Sequence, residues 1–269
     1  MDFSYIQAAV LGLVQGLTEF IPISSSGHLV IVRDLLHIPD QGSLFDAILH
    51  IATLLAILIY FRSDWLLLIQ SWSKNKNKPK GSAQYKKLSI LILLATIPGL
   101  IVGYSLHGWV EHSLRSTTIV AILMIVLGIL FIVGEKLLYP KSELHQLNWG
   151  KALSIGSAQA LALLPGFSRS GATILVAMYA GIKRELAAKF SFLLAAPIIA
   201  AAGTYSLFAA ISEGLTYDWV FAVIAFVFSF ISGFLAIKFL LNFLKKYSLN
   251  IFAYYLIIVG AALLVFKLI

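Results

Sequence analysis

The sequence predicts an all-α polytopic membrane protein, an inverted-topology repeat in which each half is a re-entrant helical hairpin plus three transmembrane helices. Three observations carry that prediction. Of the 269 residues, 60% are hydrophobic and only 12% are charged, against about 25% charged in an ordinary soluble domain. Mean hydropathy is +0.93, and apolar runs long enough to cross a bilayer recur along the chain. Two mutually similar segments interrupt this pattern with Pro, Ser and Gly.

The six uninterrupted runs lie at about 45–61, 88–106, 116–134, 190–211, 218–241 and 251–269, each near the length needed to span hydrocarbon. The first is short and borrows from its flanks. The interrupted segments, about 5–36 and 152–181, read Phe20-Ile21-Pro22-Ile23-Ser24-Ser25-Ser26-Gly27-His28 and Leu164-Pro165-Gly166-Phe167-Ser168-Arg169-Ser170-Gly171 at their centres. Each predicts two half-helices joined by a polar turn. Non-helical backbone at membrane depth survives only inside protein or beside a wet cavity.

A shift of 144 residues aligns the two segments: Gly12 with Gly156, Gln15 with Gln159, Leu17 with Leu161, Ser24 with Ser168, Ser26 with Ser170 and Gly27 with Gly171. The chain is therefore one membrane domain of two repeats, 1–134 and 152–269. Three spans separate the hairpins, and an odd number inverts the second half. The functional site is expected where the broken helices meet.

Charge orients the whole. Arg62, Lys74, Lys76, Lys78, Lys80, Lys86 and Lys87 follow the first span; Lys136, Lys141 and Lys151 follow the third. Lys183, Arg184, Lys189, Lys238, Lys245 and Lys246 complete 16 of the 20 basic residues, all on one side of this topology. The positive-inside rule makes that side cytoplasmic. Asp2, Asp40, Glu213 and Asp218 lie on the other side, so both termini and the mouth of the first hairpin face outward. The net charge of +8 then reflects cytoplasmic loops beside anionic membrane lipids, and nucleic acid is not implied. The start, Met1 to Tyr5, lacks the basic flank of a secretory signal and reads as mature sequence. With no cysteine, thiolate metal sites, disulfides and cysteine nucleophiles are excluded.

Glu19 is the first residue with chemistry to explain, because a carboxylate inside an apolar run is costly and marks function. Gln15, one turn earlier, shares its helix face. Ser24, Ser25, Ser26 and Gly27 form a turn whose hydroxyls and N–H groups suit phosphate oxygens, at the start of a half-helix. His28 follows as candidate nucleophile or general acid–base. Arg169 is the sole arginine of its apolar stretch; its fork suits phosphate or an ion pair with Glu19. Ser168, Ser170 and Thr173 would add donors around the same oxygens. His50, within the first span, reads as a hydrogen-bonded packing residue. His107, Glu111 and His112 read as a solvated outer loop, and Trp65, Trp72, Trp109 and Trp219 as interfacial anchors.

Gln15-x-x-x-Glu19, Ser25, His28 and Pro165-Gly166-Phe167-Ser168-Arg169-Ser170-Gly171-Ala172-Thr173 together resemble the bacterial undecaprenyl-diphosphate phosphatase, or bacitracin-resistance, family. The likeness in length and span pattern covers the whole chain. It implies an inner-membrane enzyme that removes the terminal phosphate of undecaprenyl diphosphate, recycling the lipid carrier of cell-wall synthesis, with its site opening to the periplasmic side. It implies a divalent cation, Mg²⁺ or Ca²⁺, with Glu19 as metal ligand or base and Arg169 as phosphate clamp. Ser25 and His28 both remain nucleophile candidates. Many members carry Glu where this chain has Gln15, so the pair has one carboxylate and Gln15 offers at most a neutral metal ligand.

Two rival readings compete with this one. Ser25-Ser26-Gly27-His28 and Ser168-Arg169 imitate elements of the type 2 phosphatidic-acid phosphatases. That family's histidine and aspartate should then fall at 175 and 179, which are Leu175 and Tyr179. Inverted repeats with paired hairpins also suit a transporter flipping the prenyl phosphate, but a translocator needs no Ser25 and His28. The small residues Gly99 and Gly103 permit close helix packing, within one chain or in a homodimer.

Overall fold

Helix forms wherever the apolar runs occur. In the computed structural model, which describes residues 4–73, 80–113, 116–138, 140–212 and 218–268, the α-helices are α1 Tyr5–Phe20, α2 Ser25–Leu35, α3 Gly42–Tyr60, α4 Arg62–Gln70, α5 Ser82–Ser113 and α6 Thr117–Leu137. They continue with α7 Trp149–Ala158, α8 Arg169–Tyr179, α9 Arg184–Ser212, α10 Trp219–Leu244 and α11 Asn250–Leu268. Among the described residues there is no strand, only an isolated parallel bridge between Ser142 and Ile182. The protein is thus an all-helical, multi-pass membrane protein. Among the described residues five helices, α3, α5, α6, α9 and α10, are long and apolar enough to cross a membrane. The run expected at 251–269 is α11, whose apolar stretch Asn250–Phe266 is shorter than those five.

Both interruptions are breaks in helix with a local cause. A residue before proline is pushed out of the α region. Ile21 before Pro22 has φ −64° and ψ 131° and ends α1. Leu164 before Pro165 has φ −76° and ψ 113° and ends a short 3₁₀ turn, Gln159–Leu163, that continues α7. The next helix then starts on a serine cap. Ser24 Oγ accepts from the Gly27 N–H (3.3 Å) and Ser168 Oγ from the Gly171 N–H (3.1 Å). Gly166, at φ +96°, is required: a Cβ there would lie 2.5 Å from Val120 O on α6.

Packing brings the broken helices together. α1 lies on α10 and α7 on α5, while α3 meets α9 and α6 meets α11. Small residues allow the close approach; Gly16, for example, faces the Ser229 carbonyl at 2.2 Å from where a Cβ would sit. Gly99 is used inside the chain, against Ile198 and Gln159. The main core runs from Phe20 through Phe131, Phe190 and Phe192.

Several of the basic groups assigned to one side hold the ends of the helices. Arg184 donates twice to Glu135 Oε2 (2.8 and 3.1 Å), whose Oε1 accepts from the Leu249 N–H at 2.8 Å. Lys189 pairs with Asp64 and Lys183 with Glu143, each at 2.5 Å. Trp72 and Trp219 are exposed, whereas Trp65 packs half-buried on the core. Asp2, Lys74, Lys76, Lys78 and Glu213 lie outside the described residues, as do the side chains of His107, Trp109, Glu111 and His112.

Candidate active site

The turns that start α2 and α8 meet at one cavity of ≈ 980 Å³, walled further by α1, α3, α5 and α9. Glu19, Ser24, Ser25, Ser26, Ser168 and Arg169 all line it, although 150 residues separate Glu19 from Arg169. The carboxylate is the hub. Glu19 Oε1 receives the Arg169 guanidinium. Its Oε2 accepts from Ser25 Oγ at 2.7 Å and Gln15 Nε2 at 3.0 Å. The Glu19 side chain is 4% exposed and that of Arg169 16%, so each is the other's counter-charge. A buried carboxylate needs that pairing and those extra hydrogen bonds to stay ionised.

Other residues singled out in the sequence play different parts here. Gly27 supplies a backbone donor to Ser24. Ser170 is buried against Ser168 Oγ at 3.0 Å. Thr173 is turned from the cavity, donating to Arg169 O (2.8 Å) and bonded to Ser191 Oγ at 2.6 Å. These two therefore stiffen the turn instead of ringing the cavity with donors. His28 does not line the cavity either. Its Nδ1 lies 2.7 Å from Ser24 O and its Nε2 2.7 Å from the Tyr255 hydroxyl on α11.

His50 corrects the sequence reading in the opposite direction. It lines the cavity, and its Nε2 lies 3.7 Å from Glu19 Oε2. The carboxylate facing its Nε2 comes from α1, 31 residues earlier in the chain. Nδ1 lies 2.7 Å from Asp46 O, which fixes the ring with Nε2 toward the site. Gln159 is a further candidate that sequence reasoning missed. It lines the cavity, donates to Ala95 O at 3.3 Å and keeps Oε1 buried without a partner. Its alignment with Gln15 was the available signal, because Gln15 Oε1 is buried and unpartnered as well.

The sequence profile of the family described as Bacitracin resistance protein BacA matches residues 8–262. The chain belongs to the BacA family. Individual relatives agree. The chain is 41% identical over 255 residues, 93% of each chain, to a protein of Rubrobacter xylanophilus named undecaprenyl-diphosphatase. A protein of Desulforudis audaxviator with the same name is 39% identical over 262 residues, 97% of each chain. A third, from Hahella chejuensis, is 38% identical over 262 residues. Membership over nearly the whole chain means that both turns, and the cavity between them, fall inside the region shared with the BacA family.

Proposed function

We propose that this BacA-family protein hydrolyses undecaprenyl diphosphate to undecaprenyl phosphate and inorganic phosphate, recycling the carrier of cell-wall synthesis and thereby conferring bacitracin resistance. The observation that carries the reading is Ser25 Oγ held 2.7 Å from Glu19 Oε2 at a cavity shared with Arg169. A serine hydroxyl on a carboxylate is a nucleophile beside its base, and a guanidinium nearby suits the phosphate oxygens.

The step follows from that geometry. The diphosphate enters between the two turns, and Arg169 takes up its oxygens in part exchange for Glu19. Ser25 Oγ attacks the terminal phosphorus while Glu19 accepts its proton and passes it to solvent. The bond from that phosphorus to the bridging oxygen breaks, and the electron pair leaves with undecaprenyl phosphate. Water, deprotonated by Glu19, then attacks the phosphoserine. The P–Oγ bond breaks, Ser25 regains its proton from Glu19 and phosphate departs. Charge on the equatorial oxygens is the quantity to be stabilised throughout. His50, with Nδ1–H on Asp46 O, adds an Nε2–H donor to those oxygens from α3 when its ring is the imidazolium.

The residues suit the divalent cation that the family resemblance implies. Among the described residues no three His, Asp or Glu side chains gather to hold a metal alone. Mg²⁺ bound through one carboxylate and substrate phosphates needs no such cage. Glu19 would hold it from the cavity wall, with Gln15, buried one turn behind, at most a neutral neighbour, and when bound it supplies positive charge to the phosphate oxygens.

The lipid tail has a path. Beyond the polar turns the cavity runs between α5 and α9, past Gly99, Leu100, Gly103, Ile198, Ala201 and Ala202. Small and apolar side chains there leave room for an isoprenoid chain. The inverted repeat is supported by the pairing of α1 with α10 and α7 with α5. On this proposal α1–α2 and α7–α8 are re-entrant hairpins. The protein sits in the cytoplasmic membrane with the basic end inward and the first hairpin opening outward.

Phosphate release from undecaprenyl diphosphate by purified protein, with and without Mg²⁺ or Ca²⁺, tests the proposal. Metal-dependent release that disappears in Ser25→Ala is the expected result. No release by folded wild-type protein under either metal overturns it.

A further inference from the structure

The mechanism leaves one polar assembly unused, a buried His28 joined to a Tyr255 that is 40% exposed. Behind the serine turn, His28 is clamped between two oxygens, Ser24 O on Nδ1 and Tyr255 Oη on Nε2, both at 2.7 Å. The His28 and Tyr255 rings are also nearly parallel, 12° apart with centroids 5.6 Å apart. A carbonyl only accepts, so Nδ1 carries the proton. Nε2 of that neutral ring is an acceptor, and Tyr255 donates to it. The order of donation is Tyr255 O–H to His28 Nε2, then His28 Nδ1–H to Ser24 O.

The carbonyl at the end of this relay belongs to an unusual residue. Ser24 has φ +74° and ψ 101°, a left-handed conformation that a non-glycine residue holds only when its surroundings over-determine it. Ser24 immediately precedes Ser25 and caps the helix that Ser25 begins. Rotating the Ser24 peptide swings Ser25 Oγ away from Glu19. His28 also donates its backbone N–H to that carbonyl, at 3.2 Å; the ring bond adds direction.

We infer that Tyr255 is a positioning residue, acting through His28 on the Ser24 carbonyl to keep Ser25 Oγ on Glu19. The inference rests on the reading of Ser25 as nucleophile and deepens it. It gives His28 a place in catalysis that requires neither phosphorylation nor proton transfer to substrate. It also makes the last helix part of the site, since Tyr255 lies 227 residues beyond His28.

Purified Tyr255→Phe, His28→Ala, His28→Asn and His28→Gln proteins, assayed for phosphate release, separate this from direct chemistry. An asparagine amide overlays Nδ1 and keeps the donor to Ser24, whereas a glutamine amide overlays Nε2 and loses it. His28→Ala and His28→Gln are expected to lower kcat about 100-fold, the effect of misplacing a reacting group by about 1 Å. Tyr255→Phe is expected to lower kcat about tenfold at unchanged KM, and His28→Asn to match Tyr255→Phe. His28→Asn as inactive as His28→Ala, or Tyr255→Phe equal to wild type, overturns the inference.

¹⁵N spectra of histidine-labelled protein test the relay without any substrate. The signals of His28, identified among the six histidines by their loss in His28→Asn, are expected to report the neutral Nδ1–H tautomer and to move in Tyr255→Phe. An Nε2–H tautomer, or no response to Tyr255→Phe, overturns the inference. Should wild-type protein release no phosphate, the phosphatase reading falls by itself, and these spectra still decide whether the relay exists.

Discussion

Gly12 and Gly156 make the same contact on opposite halves of the protein. A Cβ on Gly12 would lie 2.2 Å from Ala225 O, and one on Gly156 2.1 Å from Ala95 O. Each lets a broken helix press its backbone against the backbone of a long span. Backbone cannot move aside as a side chain can. Gly12→Ala and Gly156→Ala are therefore each expected to destabilise the protein by about 1–3 kcal/mol or more. Thermal unfolding in detergent, compared with Gly103→Ala, checks this. A Cβ on Gly103 meets nothing within 4 Å, so that variant should unfold with wild type.

Glu19 and Arg169 are expected to behave as one unit. Removing only the guanidinium strands a buried carboxylate, a loss of about 3–5 kcal/mol for a broken buried pair. Arg169→Ala should thus unfold well below wild type. Neutralising the partner as well, in Arg169→Ala with Glu19→Gln, should recover much of that stability while phosphate release stays absent. Equal melting temperatures for the single and double variants would show the pair to be uncoupled.

His50 tests the part of the site that primary structure concealed. Losing a hydrogen bond to a charged group weakens binding by about 1.5–3 kcal/mol. His50→Ala should raise KM for undecaprenyl diphosphate at least about tenfold, the factor for ~1.4 kcal/mol. His50→Leu, which keeps packing volume, should be no better. Steady-state kinetics in which His50→Leu matches wild type would return His50 to a packing role.

Ala202 addresses the tail. Ala202→Phe places a ring in the apolar arm of the cavity between α5 and α9. It should lower kcat/KM for undecaprenyl diphosphate about tenfold, a discrimination worth ~1.4 kcal/mol. A short-chain prenyl diphosphate should be hydrolysed at the wild-type rate. Equal losses on long and short substrates would move the tail to another route.

Composition and hydropathy alone determined that this chain is an all-helical membrane protein, because 60% apolar residues in bilayer-length runs have no other solvent. The two breaks were legible too, since Pro22 and Pro165 act on the residues beside them through local sterics. Glu19, Ser25 and Arg169, which line one cavity, could be named as candidate site residues because charge and hydroxyls at membrane depth are expensive and rare. What only the tertiary structure decided is direction and partnership. Which way His28, Thr173 and His50 face depends on helix rotation and on neighbours drawn from distant segments: Tyr255, Ser191 and Glu19. Such contacts are non-local and leave no period or spacing in the chain. A histidine three residues from the serine turned out to lie behind it, and one in an apparently plain span turned out to look into the site.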